Sequence, residues 1–339
     1  MSDPQRCHQH CRYEGSRTIR QLGWLLAAFA VAAGNGAVAQ QNFPSKPVRM
    51  VVGFSAGSAT DILARTVGQK MSESWGEQVV VDNRPSAGGT IAGGLVHNAI
   101  ADGYTLLVVS NGHAVNATLY SKLPYDTIKD FAGVSLLANI PNVLVVSPSL
   151  GARSTRELIA LAKSRPGQIN YASAGIGSGT HLTGEMFKLM AGLDVVHVPY
   201  KGTPEALTET LSGRVQYFFA PIVAATTFVR DGRLLALAVS TPTRSPVLPD
   251  VPSVAESALP GFDSALWVGL LAPARTPRAI IDKLNQEVVR ILKLPDVAER
   301  LKALGADPAP TAPEFFDKYI KSEVEKLGKV VKASGARVD

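Results

Sequence analysis

YASAGIGSGTHLTGEM (171–186) reads as a short strand, a glycine-rich loop and the first turns of a helix. A loop of this kind holds anions, because free N–H groups and the dipole at a helix N-terminus both favour negative charge. The anion is a nucleotide's phosphates, a developing oxyanion or the carboxylate of a small acid; the surrounding chain decides which. The same order occurs earlier. VRMVVGF (48–54) is a near-continuous apolar run, as a strand covered on both faces requires, and SAGSATD leads from it into a segment with helical spacing at Ile62, Leu63, Val67 and Met71. QVVVDN (78–83) and TLLVVSN (105–111) read as two further strands, separated by a small-residue helix over 90–101. Strand–helix–strand order predicts an α/β fold with a parallel sheet and right-handed crossovers.

A second block of the same type begins near 143. VLVVS is a strand and 154–164 a helix capped by Ser154. INYASA, DVVHVPY, VQYFFA and LLALAVS are strands, and Pro204 suits the first turn of a helix running to Leu211. The pattern then changes. After a Pro-rich stretch (241–260), one apolar strand, ALWVGLLAP (265–273), is followed only by helices. One shows apolar positions Ile280, Ile281, Leu284, Val288 and Ile291; another shows Phe316, Ile320, Val324, Leu327 and Val331. With no further strand to build on, these helices are expected to return to the first sheet. The predicted organisation is two α/β lobes, 40–142 plus 266–339 and 143–265, with two hinge crossings near 134–145 and 262–271 and a central ligand cleft. About 300 residues is also more than one core usually supports.

The N-terminus is read separately. Arg17 and Arg20 precede an apolar run over 22–33 and end in Ala37-Val38-Ala39, the pattern of a signal peptide cleaved after residue 39. The apolar run falls short of the about 20 residues that span a bilayer. Both cysteines, Cys7 and Cys11, lie in the leader beside His8 and His10, so the exported chain is expected to carry no disulfide, thiol nucleophile or cysteine-ligated metal. Losing 1–39 removes four Arg and two acids from 34 and 28, leaving 30 basic against 26 acidic residues and a net charge of +4. No Lys/Arg run or aromatic interleaving marks a nucleic-acid surface.

The glycine loops do not fit a dinucleotide. Gly175, Gly177 and Gly179 run G-x-G-x-G, and Asp194 stands at the beginning of its strand, where it does not reach a ribose. One G-x-S-x-G spacing occurs, GFSAG (53–57), with no His or acid marked as its partner, and there is no S-x-x-K. His97, His113, His181 and His197 form no metal-ligand spacing, and His181 suits a structural place in the first turn of its helix. Neither catalysis, a cofactor nor a metal is therefore expected. Holding a carboxylate needs less: backbone N–H groups and hydroxyls at a helix start. Two loops offer them, Ser55-Ala56-Gly57-Ser58-Ala59-Thr60-Asp61 and Ser173-Ala174-Gly175-Ile176-Gly177-Ser178-Gly179-Thr180. For each alone, Thr60 or Asp61 as a simple N-cap, and glycines serving only a turn, is the competing reading.

GFSAGSATDILAR, VDNRPSAGGTIAG, ADGYTLLVVS, YASAGIGSGTHLTGEMF, VPYKGTPEALTETLSGRV and DGRLLALAVST occur in this order. Together they resemble the exported solute-binding receptors of tripartite tricarboxylate transporters, the Bug-type receptors, over residues 43 to about 331. The resemblance implies a type II periplasmic binding protein fold that closes on a small carboxylic acid, an aromatic carboxylate or a di- or tricarboxylate, and hands it to membrane subunits. A periplasmic sensor feeding a signalling partner would use the same fold. Carried over residue by residue, the ligand set comprises Ser55, Ala56, Gly57, Ser58, Thr60, Asp61, Ser110 and Asn111 in the first lobe. In the second it comprises Ser173, Gly175, Gly177, Ser178, Gly179, Thr180 and His181, with Tyr200 and Lys201 nearby. Two positions depart from the family pattern. Ser58 stands where a second glycine is frequent, and Ala220 where an aspartate is common, a loss expected to favour a less polar ligand.

Overall fold

The computed structural model describes residues 43–335, 337 and 338; the leader, with Cys7 and Cys11, lies outside them. Each apolar run becomes a strand. β1 (Val48–Val52) pairs in parallel with β2 (Val79–Asn83) on one side and β3 (Thr105–Ser110) on the other. β5 (Asn170–Ser173) repeats the arrangement with β6 (Val196–Pro199) and β7 (Tyr217–Pro221). The crossovers are α1 (Ala59–Trp75), which buries Leu63, Val67 and Met71 against the sheet, and the shorter α2 (Thr90–His97). α3 (Asn111–Leu119) follows β3 without a loop. α4 (Thr155–Ser164) precedes β5, and its Ser154 cap accepts from Glu157 N as its position suggests. α5 (Gly179–Ala191), α6 (Thr203–Leu211) and α7 (Ile222–Arg230) complete the second block.

The sheet is mixed rather than parallel throughout. β4 (Phe131–Val146) is one 16-residue strand, beginning well before the expected start at 143. Through 131–141 it runs antiparallel to β9 (Ala265–Pro273); through 142–146 it runs antiparallel to β7, and through 143–146 to β8 (Leu235–Val239). The strand order is β2-β1-β3-β9-β4-β7-β5-β6, with β8 and β10 (Asp307–Pro308) also on β4. A chain that has to return to its first sheet does so antiparallel here because β9 enters from the second block, beside a strand leaving in the opposite sense.

Of the later helices, α8 (Val254–Ser257) carries a capping box formed by Ser253 and Glu256. α9 (Arg278–Leu292), α10 (Pro295–Ala303) and α11 (Pro313–Ser334) end the chain, and α9 and α11 pack on β4 through the apolar positions their spacing marks. Two apolar cores result. One gathers Val51, Leu107, Val109, Trp267, Leu271, Phe316 and Ile320; the other gathers Leu144, Tyr171, Phe187, Tyr217, Phe219 and Phe262. Residues Lys46–Asp339 form one compact unit containing both. No described helix is long and apolar enough to cross a membrane.

Candidate functional site

β1, β3, β5 and β7 deliver their C-terminal ends to a common place, and each is followed there by a helix start. A small cavity of about 20 Å³ occupies it. Its polar lining comes from Ser58 and Thr60 at the start of α1, Ser110 before α3, Ser178 and Thr180 at the start of α5, and Thr203 at the start of α6. Phe54, Ala59, Ala174, Pro221 and Leu266 supply apolar walls, and Gly179 completes the lining. Pro221 is also the residue from which α7 departs, so five helix N-termini face the cavity. None of the lining side chains is charged. Each N-terminus carries about half a positive charge, so the field favours an anion without any cation in the wall.

The two loops singled out in the sequence end alike, yet their hydroxyls are used differently. Ser58 and Ser178 occupy N-cap positions with the same backbone geometry, φ −71°, ψ 160° and φ −69°, ψ 159°. Ser178 caps its own helix, accepting from His181 N at 3.2 Å, and Thr180 Oγ1 accepts from Ala174 N at 2.9 Å. Ser58 does not cap α1. Its Oγ accepts from Thr203 N, 3.3 Å away on the other block, and Thr60 Oγ1 is buried with no hydrogen-bond partner. At α5 the His181 N–H is satisfied by its own cap, whereas α1 has no side-chain cap and the buried Thr60 hydroxyl has no partner.

Of the residues expected from sequence, Ser58, Thr60, Ser110, Ser178, Gly179 and Thr180 line the cavity together. The others stand behind or beside it. Asp61 is a bracket for its loop: it accepts from Gly57 N at 2.8 Å and Asn83 Nδ2 at 2.9 Å and pairs with Arg65. Burial opposes its ionisation, but the bonds from Arg65, Gly57 and Asn83 outweigh this and hold the carboxyl below its usual value. Gly57 takes φ +83° there, and Ala56 and Gly57 are exposed. Ser55 donates to Glu205 Oε1 at 2.6 Å, outside the lining.

Asn111 is turned away from the cavity to β9, donating to Ala265 O at 3.2 Å and accepting from Trp267 N at 3.0 Å. Ser173 is fully buried; its Oγ bonds His197 Nε2 at 2.6 Å and accepts from Gly175 N at 3.1 Å. His181 accepts from Gly177 N at 3.2 Å through Nδ1 and stacks on His197, ring centroids 4.2 Å apart. Burial first, then proximity to His181 and Lys188, pushes His197 down to about 3, and burial also lowers His181. The serine–histidine pair is thus a neutral support under the loop, and neither it nor His181, expected in the ligand set, is among the lining residues.

Gly175 and Gly177, at φ +118° and +79°, let the loop bend against Tyr200 and Leu119 without lining the cavity. Tyr200 donates its N–H to Ser173 O at 3.0 Å, and Lys201 is exposed. Ala220 is buried in β7 opposite Val143; its neighbour Pro221 is the lining residue. The apolar wall on this side therefore comes from Pro221. Sequence reasoning missed Phe54, Thr203, Pro221 and Leu266. Each borders an element already read: Phe54 ends the first apolar run, Thr203 precedes Pro204, Pro221 follows VQYFFA, and Leu266 opens the returning strand.

The family model for the tripartite tricarboxylate transporter family receptor matches residues 63–336. The chain belongs to that family. Protein BugT of Bordetella pertussis is 34% identical over 325 residues, covering 95% of this chain and 99% of BugT. R. palustris Rpa4515 with adipate is 35% identical at a TM-score of 0.85, covering 87% of this chain and 100% of that one. MatC (Rpa3494) from Rhodopseudomonas palustris with bound malate is 35% identical at a TM-score of 0.81, covering 85% and 100%. The mixed α/β architecture of this receptor is that of the type II periplasmic binding proteins. Among the described residues, no group of three or more His, Cys, Asp or Glu side chains is placed to hold a metal ion.

Proposed function

We propose that this receptor, exported through its leader to the periplasm, captures a small carboxylic acid between the lobes 40–142 plus 266–339 and 143–265 and delivers it to a tripartite tricarboxylate-type membrane transporter. The observation that carries the reading is the open end of α1: uncapped N–H groups and a buried, unpartnered Thr60 hydroxyl, facing a cavity whose far wall is the start of α5. One carboxylate seats on α1 with Thr60 and Ser110. The carbon body lies against Phe54, Pro221 and Leu266, and the starts of α5, α6 and α7 add their dipoles from the opposite side. An acid contacting both lobes binds the closed form better than the open one and shifts the equilibrium toward it. The ligands of two relatives, adipate and malate, are small acids of this kind.

Apolar walls and the absence of a charged lining residue favour an acid with an apolar body, including an aromatic one, over citrate or aspartate. A thermal-shift and calorimetric panel of adipate, malate, benzoate, citrate and aspartate tests this. An acid at 100 times its dissociation constant stabilises the protein by about 2.7 kcal/mol. No shift with any acid would refute carboxylate capture; tighter binding of citrate or aspartate than of adipate and benzoate would refute the preference.

A further inference from the structure

The cavity is not the only place where the two blocks meet. The loop after β1 and the first turn of α6 touch beside it. Ser55 Oγ donates to Glu205 Oε1 at 2.6 Å, Thr203 N donates to Ser58 Oγ at 3.3 Å, and Pro204 lies against Gly57. The approach is close enough to need glycine at 202, where a Cβ would stand 2.8 Å from Ser55 Cβ and 2.9 Å from Ser58 Oγ. Neither Ser55 nor Glu205 lines the cavity. Glu205 spends one oxygen on Ser55, while its other, Oε2, is buried without a partner. Leaving a carboxylate oxygen unsatisfied is costly, and nothing in α6 itself requires it. The contact makes sense as one formed when the blocks come together and released when they part.

We propose that Glu205 is a positioning residue for ligand capture: by accepting the Ser55 hydroxyl it clasps the loop after β1 to α6 and slows the escape of a bound acid it never touches. The proposal rests on the lobe-closure reading above. A clasp made after encounter acts on the dissociation rate and leaves association nearly unchanged.

The test is stopped-flow binding of adipate to the wild type, S55A, E205A, S55A/E205A and E205Q. E205A and S55A are each expected to raise the dissociation rate about fivefold, with association changed less than about twofold. The double variant should be no worse than the poorer single one, because both remove the same contact. E205Q keeps an oxygen acceptor and should restore slow release. Ligand-free melting should be unchanged or raised in E205A, since the unpartnered oxygen is gone. An unchanged dissociation rate in E205A, additive losses, or a melting decrease that accounts for the lost affinity would each overturn the clasp. If adipate does not bind the wild type, its capture by this receptor fails on its own. The clasp is then judged by amide exchange at Thr203, which E205A should accelerate; equal exchange in both proteins would overturn it.

Discussion

Replacing Thr60 by Val separates what the site costs from what it does. Val keeps the β-branched shape and the rotamer preference, so only the hydroxyl is lost. Thr60 is 2% exposed and its Oγ1 has no partner, so the folded protein holds a desolvated hydroxyl that returns nothing to stability. Such a group costs about 1–3 kcal/mol, and removing it should raise the ligand-free melting temperature by about 2 °C or more in a chain of this size. Binding should move the other way. A hydroxyl donating to a carboxylate contributes about 1.5–3 kcal/mol, or about 10- to 150-fold in dissociation constant. Differential scanning fluorimetry without ligand, paired with calorimetry on the acid giving the largest shift in the panel, reads both quantities on one preparation. Opposed signs are the expected result. A lower ligand-free melting temperature would show that the hydroxyl is structurally engaged; an unchanged dissociation constant would show that α1 is not the carboxylate seat.

Other consequences follow from the packing around the site. In Gly269→Ala the new Cβ would fall 2.1 Å from Phe316 Cζ, inside a ring held by Trp267 and Tyr319, so denaturant unfolding should register a loss of about 1–3 kcal/mol. Asn111→Asp sets a carboxylate oxygen against the Ala265 carbonyl in place of a donor; a loss of about 1–3 kcal/mol is expected, and unchanged stability would refute the assigned amide orientation. His113 is lowered to about 4 by burial, partly offset by its bond to the Thr127 carbonyl at 2.9 Å. It is neutral in the native state, so its contribution is intact above the unfolded value near pH 6.5 and is lost as pH falls toward 4, by about 3 kcal/mol in total. His181 and His197 titrate in the same sense. Chemical denaturation between pH 7 and 4 should show the fall, and His113→Gln should flatten part of it; an identical slope in that variant would assign the effect elsewhere.

The parallel units and the helix starts were legible because their causes are local. A buried strand shows as an apolar run, and α1, α9 and α11 bury the positions their spacing marks. The six expected residues that line the cavity all belong to strand–helix junctions, where local chemistry and cavity coincide. The expected residues that stand outside the lining are placed there by tertiary contacts. Asn111 has the local look of a ligand residue, but its partners Ala265 and Trp267 lie more than 150 positions away. Tyr200 and Lys201 stand just before Thr203, which does line the cavity, but Tyr200 turns its N–H to Ser173 O and Lys201 is exposed. The early part of β4 was hidden because Gly133, Asn139 and Pro141 interrupt its apolar pattern, while pairing with β9 and β10 comes from distant segments. Pro221 and Leu266 carry no local signal for a wall they form only by convergence.

β4 also governs the order in which the molecule can assemble. Its first half waits for β9, more than 120 positions later, and the core beneath β1 and β3 waits for Phe316 and Ile320 near the other terminus. A nascent chain has every crossover of its first block long before it has the residues that cover it. Synthesis therefore runs well ahead of consolidation, and loop closure over such separations makes the slow step a late one. Truncation of the final helix is expected to leave the opening third of the polypeptide without a finished interior, although not one of its own residues has been removed.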